Sequence, residues 1–229
     1  MHVLDADQLQ VLKLSLTVAG TAVAFSLPLA LGVAWFLARS RSRLKMAVDA
    51  LVHLPLVLPP VVTGYLLLIV LGRRGLIGGW LADHLGLVFA FHWTGAALAG
   101  GIMGFPLMVR PIRLSLEAID PRIEAAAATL GARPLVVWLT VTVPLALPGV
   151  IAGLVLAFAR ALGEFGATIT FVSNIPGETR TLPLAIYTFI QVPGGEGQAA
   201  QLIVISVVVS LGALVISEWI ARRVKRLQA

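Results

Sequence analysis

Five stretches of this chain run for more than twenty residues without an Asp, Glu, Lys or Arg: 14–38, 50–72, 84–109, 134–159 and 197–217. A helix rises 1.5 Å per residue, so about 20 apolar residues carry it across the hydrocarbon core of a bilayer. Of the 229 residues, 59% are hydrophobic and 12% charged, whereas soluble domains average about 45–50% and about 25%. One globular core cannot hide that much apolar surface, which excludes a soluble enzyme. The expectation is an all-α integral membrane protein, a single domain over 1–229 with spans near 14–38, 50–72, 86–109, 140–162 and 198–219. Six spans is the alternative. The charge-free gaps 165–177 and 181–195 are too short to cross and are broken by Asn174, Pro176, Pro183 and Pro193, so they read as external loop with a re-entrant or interfacial helix. Asp5 and Asp7 stand where a cleavable leader would be basic, and the first apolar run is too long for one.

Cations set the orientation. Arg39, Arg41, Arg43 and Lys45 follow the first span, Arg110, Arg113, Arg122 and Arg133 the third, and Arg222, Arg223, Lys225 and Arg226 the fifth. Lys13, Arg73, Arg74, Arg160 and Arg180 fall on the opposite side. The cation-rich side is cytoplasmic by the positive-inside rule, which puts the N-terminus outside and the C-terminus inside. The basic clusters read as topology signals and lipid-headgroup contacts. No groove-reading motif accompanies them, so nucleic acid is not expected as a partner.

Several chemistries are excluded or unsupported. The chain has no cysteine and no Gly-Lys-Ser or Gly-Lys-Thr phosphate loop. Its histidines, at 2, 53, 84 and 92, lack metal-ligand spacing. Asp49, Glu117 and Glu218 read as acids of loops or span ends. Prolines at 28, 55, 59, 60, 106, 144 and 148 lie within or near the ends of the spans. Each removes a backbone donor and frees a carbonyl, leaving either packing kinks or a bundle that rearranges around a pathway. Arg160 and Glu164, at i and i+4 near an outer membrane face, are costly in lipid unless paired or wet. They are an ion pair bracing the helix or a gate lining the pathway; Gly163 and Gly166 beside them allow close packing or a hinge.

The loop 110–138 carries a bounded helix. Asp120 suits the N-cap and Pro121 the first turn. Glu124 favours the positive helix end, while Gly131 and Pro134 stop the helix after residue 130. Ile123, Ala126, Ala127 and Leu130 fall on one face of this thin rod, which suits a groove on another protein or on the bundle itself.

Residues 125–144 resemble the loop signature of ABC-importer permeases: Glu-Ala-Ala, three residues, Gly, nine residues, Ile-x-Leu-Pro. Ala126, Ala127, Gly131, Val141, Val143 and Pro144 keep its spacing. Ala125 holds the signature's Glu position, and Glu124 lies one residue earlier. Residues 53–68 (HLPLVLPPVVTGYLLL) and 158–171 (FARALGEFGATITF) resemble the sulfate/molybdate branch. Residues 72–78 (GRRGLIG) and 171–187 (FVSNIPGETRTLPLAIY) resemble its molybdate-transporting members most.

The resemblance implies a type I ABC importer permease fold, with a helix comprising Glu124, Ala125, Ala126, Ala127, Leu130 and Gly131, and Pro144 beyond it, coupling to an ATPase. It implies a homodimeric pathway for an oxyanion, two cytoplasmic ATPase subunits holding ATP and magnesium, and a periplasmic binding protein. This chain would bind no cofactor or metal itself. The outer segments 72–83 and 172–199 would meet the binding protein, with Arg73, Arg74, Glu178 and Arg180 at the rim. The competing class, a self-contained carrier or channel, would be expected to show an internal repeat or a chain of intramembrane acids.

Topology gives the first prediction. Reporters fused at the C-terminus should be active only when the enzyme works in the cytoplasm. Activity confined to a periplasmic reporter would invert the orientation.

Overall fold

The structure, a computed structural model, describes residues 5–228; the side chains of 217, 218, 220–222 and 224–228 lie outside the described residues, as do the sequence-based placements of His2, Glu218, Arg222, Lys225 and Arg226. Among the described residues all regular structure is helical. Helix α1 (Ala6–Arg39) is followed by α2 (Leu44–Val57), α3 (Pro60–Leu71), α4 (Leu76–Leu85) and α5 (Trp93–Glu117). The short α6 (Pro121–Thr129) leads to α7 (Pro134–Val137), a π turn (Trp138–Thr142), α8 (Val143–Leu145) and α9 (Leu147–Leu162). The chain ends with α10 (Gly166–Val172), α11 (Leu182–Ile190) and α12 (Glu196–Gln228).

Helices α1, α5 and the start of α12 are each long and apolar enough to cross a bilayer. Two bent pairs bring the number to five if each is one crossing. The second and fourth spans are therefore not straight helices. Between α2 and α3 the axis turns by 112°, because Leu58 precedes Pro59 and Pro60, which disfavour its helical conformation and remove two donors. Residues 134–145 and 147–162 meet at 69°, beside Pro144 and Pro148. The third span is displaced: α5 starts at Trp93 and runs to Glu117, into the segment expected to be loop. The gap 165–177, expected to carry a re-entrant or interfacial helix, holds a short helix over Gly166–Val172. This helix, α10, is packed between α3 and α5, with Ala167, Thr168, Phe171 and Val172 buried.

Helix α5 is the centre, with α1 and α9 against it. Small residues make this possible. A Cβ on Gly153 would lie 2.7 Å from the Met108 carbonyl oxygen, and one on Gly104 3.0 Å from that of Ala157. Such approach is how membrane helices gain dispersion contact where no hydrophobic force drives them together. Around this contact Leu37, Met108, Ile112, Leu116 and Val150 fill one end of the core. Met103, Phe171 and Val172 fill another region, and Leu162, Leu182, Ala185 and Leu202 a third. Helix α11 is tied to α1 by the Leu182 N–H, which donates to buried Ser15 Oγ at 2.7 Å.

Gly153→Ala is expected to lower the detergent-phase melting temperature, with strain of about 1–3 kcal/mol. Gly20, where an added methyl group would meet nothing within 4 Å, should accept Ala without loss. Equal melting of both variants would contradict the close α5–α9 contact.

Candidate functional site

Helix α6 forms where the sequence places it. The Asp120 carboxylate accepts the Arg122 N–H at 2.9 Å, and Pro121 opens the first turn. Leu130 is the C-cap, one residue outside the helix, and Gly131 follows at φ +82°, a conformation in which a β-carbon is unfavourable. Nine residues make a rod of about 13 Å, and none of them is buried. Ile123 is 47% and Leu130 88% exposed; Ala125 and Ala126 are exposed too. Ala127 is half-buried with Glu124, so it belongs to the inner face, not with Ile123 and Ala126. Pro144 lies beyond the π turn, in α8.

Glu124 points back into the protein. Its Oε1 accepts from Arg39 Nη2 at 3.1 Å and from Thr142 Oγ1 at 2.8 Å. The spacing of the loop signature gives no hint of either partner, which come from the end of α1 and from the π turn. Nearby, Arg113 on α5 donates to Asp49 on α2 at 3.0 Å and to Glu117 at 2.8 Å, holding α2 against α5.

Arg160 and Glu164 do meet, but not on one continuous helix. Helix α9 ends at Leu162 with Gly163 as its cap, and Glu164 stands in the break before α10. The Glu164 side chain is 1% exposed. Its Oε1 accepts the Ala167 N–H at 2.8 Å, satisfying a donor at the start of α10. Its Oε2 faces Arg160 as an ion pair without directed hydrogen-bond geometry. Gly166 provides close approach: a Cβ there would stand 2.8 Å from Pro60 Cβ. Gly163 borders an open apolar groove of about 450 Å³, lined also by Leu162, Phe165, Tyr187, Ile190 and Ser206.

Arg73 and Arg74 are exposed between α3 and α4. Glu178 and Arg180 are engaged within the protein. Glu178 Oε1 accepts the Trp93 N–H at 3.3 Å and lies 3.3 Å from His92 Nε2. Arg180 Nε donates to Asn174 Oδ1 at 3.0 Å. Thr179 is fully buried beneath this turn. Sequence reading misses His92, which caps α5 by accepting the Thr94 N–H. Its place before an apolar run is the available signal. Among the described residues no three His, Asp or Glu side chains gather as a metal site.

Apolar helices, bent helix pairs and an exposed, capped helix make a multi-pass membrane architecture by length and composition. The chain belongs to the family described as binding-protein-dependent transport system inner membrane component, which matches residues 26–226. It is 58% identical over 220 residues, 96% of each chain, to the molybdenum transport system permease protein ModB of Escherichia coli K12. It is 55% identical over 219 residues, again 96% of each, to the ModB protein of Haemophilus influenzae. Among solved structures, it superposes on a chain of a bacterial ABC transporter that imports the acidic polysaccharide alginate. The TM-score is 0.74 at 18% identity, covering 96% of this chain and 80% of that one. A chain of the MetNI methionine ABC transporter gives 0.72 at 15% identity, covering 96% and 99%. At such identities the shared property is the type I importer fold.

The break at Glu164 generates a prediction. Glu164→Ala strands the Ala167 N–H in an apolar setting, a loss of about 1–3 kcal/mol. Glu164→Gln retains an acceptor and should yield more folded protein. Exchanging Arg160 and Glu164 restores opposite charges but not the cap, so the exchanged protein should melt like Glu164→Ala. Melting like the unaltered protein would show that the cap contributes nothing.

Proposed function

We propose that two copies of this chain form the membrane pathway of an ATP-driven importer of molybdate or of the related oxyanions tungstate and sulfate. The 58% identity to a molybdenum transport permease across 96% of the chain supports the substrate class. In this reading the N-terminus is outside the inner membrane and the C-terminus in the cytoplasm. Two ATPase subunits dock below, holding ATP and magnesium, and a periplasmic binding protein docks on the outer segments 72–83 and 172–199. Arg73 and Arg74 suit the rim of that docking surface. Rim charges tune association rate and its salt dependence more than final affinity. Glu178 and Arg180 would act there by shaping the 173–181 turn through His92 and Asn174.

The observation that carries the coupling role is α6 itself: nine helical residues, capped at both ends, with no side chain buried. A rod presenting Ile123, Ala126 and Leu130 outward suits a cleft of a cytoplasmic partner. Arg160, Glu164, Gly163 and Gly166 are candidates for the part of the pathway that opens, since Gly163 and Glu164 lie in the break between α9 and α10, flanked by Arg160 and Gly166.

A charge buried without a partner at the α6 contact is costly, and a β-carbon at Gly131 costs about 1–2 kcal/mol in its left-handed conformation. Ala126→Glu and Gly131→Val are therefore expected to abolish co-purification of the ATPase, while membrane insertion and pairing of the subunit survive. Normal recovery of ATPase with both variants would mean that α6 is not the docking helix.

A further inference from the structure

Helix α6 buries no side chain, yet it must be joined to the bundle for its motion to matter. Among the described residues, Glu124 makes the side-chain hydrogen bonds that leave the helix. One carboxylate oxygen holds two elements at once. Arg39 is the last residue of the 34-residue α1, which packs along both α5 and α9. Thr142 is the last residue of a single π turn, is 2% exposed, and lies just ahead of the 69° bend into α9. Single π turns carry weaker local bonding than α-helix and recur at functional sites. Arg39 Nε is buried without a hydrogen-bond partner, so Glu124 is the contact that directs this guanidinium. Both bonds to Glu124 are charge-assisted, a class stronger than neutral hydrogen bonds.

We propose that the Arg39–Glu124–Thr142 junction is the transmission joint of the permease: Glu124 is a positioning residue that passes displacement of α6 to α1 and to the π turn preceding the bent span. The register of the loop signature assigns this carboxylate no role, because its position in the pattern is held by Ala125. The inference rests on α6 being the ATPase-docking helix, and its effects are separable from docking. The outward residues Ile123, Ala126 and Leu130 are untouched by changes at the joint, and energy passes through such a contact only if two arrangements of it are linked.

The test uses the full complex in liposomes with the ATPase and a loaded binding protein. Glu124→Ala, Arg39→Met and Thr142→Val are each purified and three quantities read: ATPase recovered per permease, hydrolysis without binding protein, and hydrolysis and molybdate uptake with it. The expected result is full recovery of ATPase, with binding-protein-stimulated hydrolysis and uptake reduced about tenfold or more by Glu124→Ala and less by Thr142→Val. The paired change Arg39→Glu with Glu124→Arg should recover part of the stimulation that either single change loses, a coupling that a merely structural effect at two independent sites would not give. Normal stimulation in Glu124→Ala overturns the joint. So does loss of ATPase recovery with Glu124→Ala while the unaltered complex assembles, since the residue would then belong to docking. If the unaltered permease recovers no ATPase, the docking role of α6 fails as well.

Discussion

Lipid offers no hydrogen-bond partner to a backbone group released where a helix breaks. This chain breaks its helices repeatedly within apolar sequence, so side chains must satisfy what the breaks release. Glu164 takes the Ala167 N–H at the start of α10, and Ser15 takes the Leu182 N–H at the start of α11 from 167 residues away. His92 and Glu178 together accept the first donors of α5. Among the buried polar residues, Ser15 and Glu164 each serve the first turn of a short helix. There they accept N–H groups that the breaks release.

The same economy shapes the packing. Small residues at Gly104 and Gly153 let α5 and α9 touch through backbone, and α9 is itself one half of a bent pair. The 112° turn at Leu58–Pro59 and the 69° turn near Ala146 put half-helices where straight spans would otherwise stand. Half-helices joined at such breaks can move about them, as alternating access requires. In the proposed coupling α6 would drive this, because Glu124 bonds both Arg39 at the end of α1 and Thr142 ahead of the bend into α9.

What is legible in the sequence depends on range. Caps are local, so Asp120, Pro121 and Gly131 bound α6 to within one residue. Charge-free length finds the apolar segments, since hydropathy needs no partner. Proline marks the breaks but not their angles, which are set by what each half packs against: α3 turns to meet α10, and Gly64 and Gly166 are the residues that allow it. The extent of α5 escapes this reading because Arg110 and Arg113 end a charge-free run without ending a helix; Arg113 is held by Asp49 and Glu117. Pairings such as Arg39 with Glu124, 85 residues apart, have no local signature at all. In the sequence Arg39 reads only as one topology cation among several.

The central claim is that this chain moves its anion only when a separate ATPase works through α6. The most direct measurement places the permease in liposomes with the ATPase, ATP and molybdate-loaded binding protein, and follows hydrolysis and anion accumulation together. Both should rise with the loaded binding protein, and accumulation should cease when the ATPase or ATP is left out. Molybdate crossing at an undiminished rate in liposomes holding the permease alone would contradict the claim and define a self-contained carrier or channel.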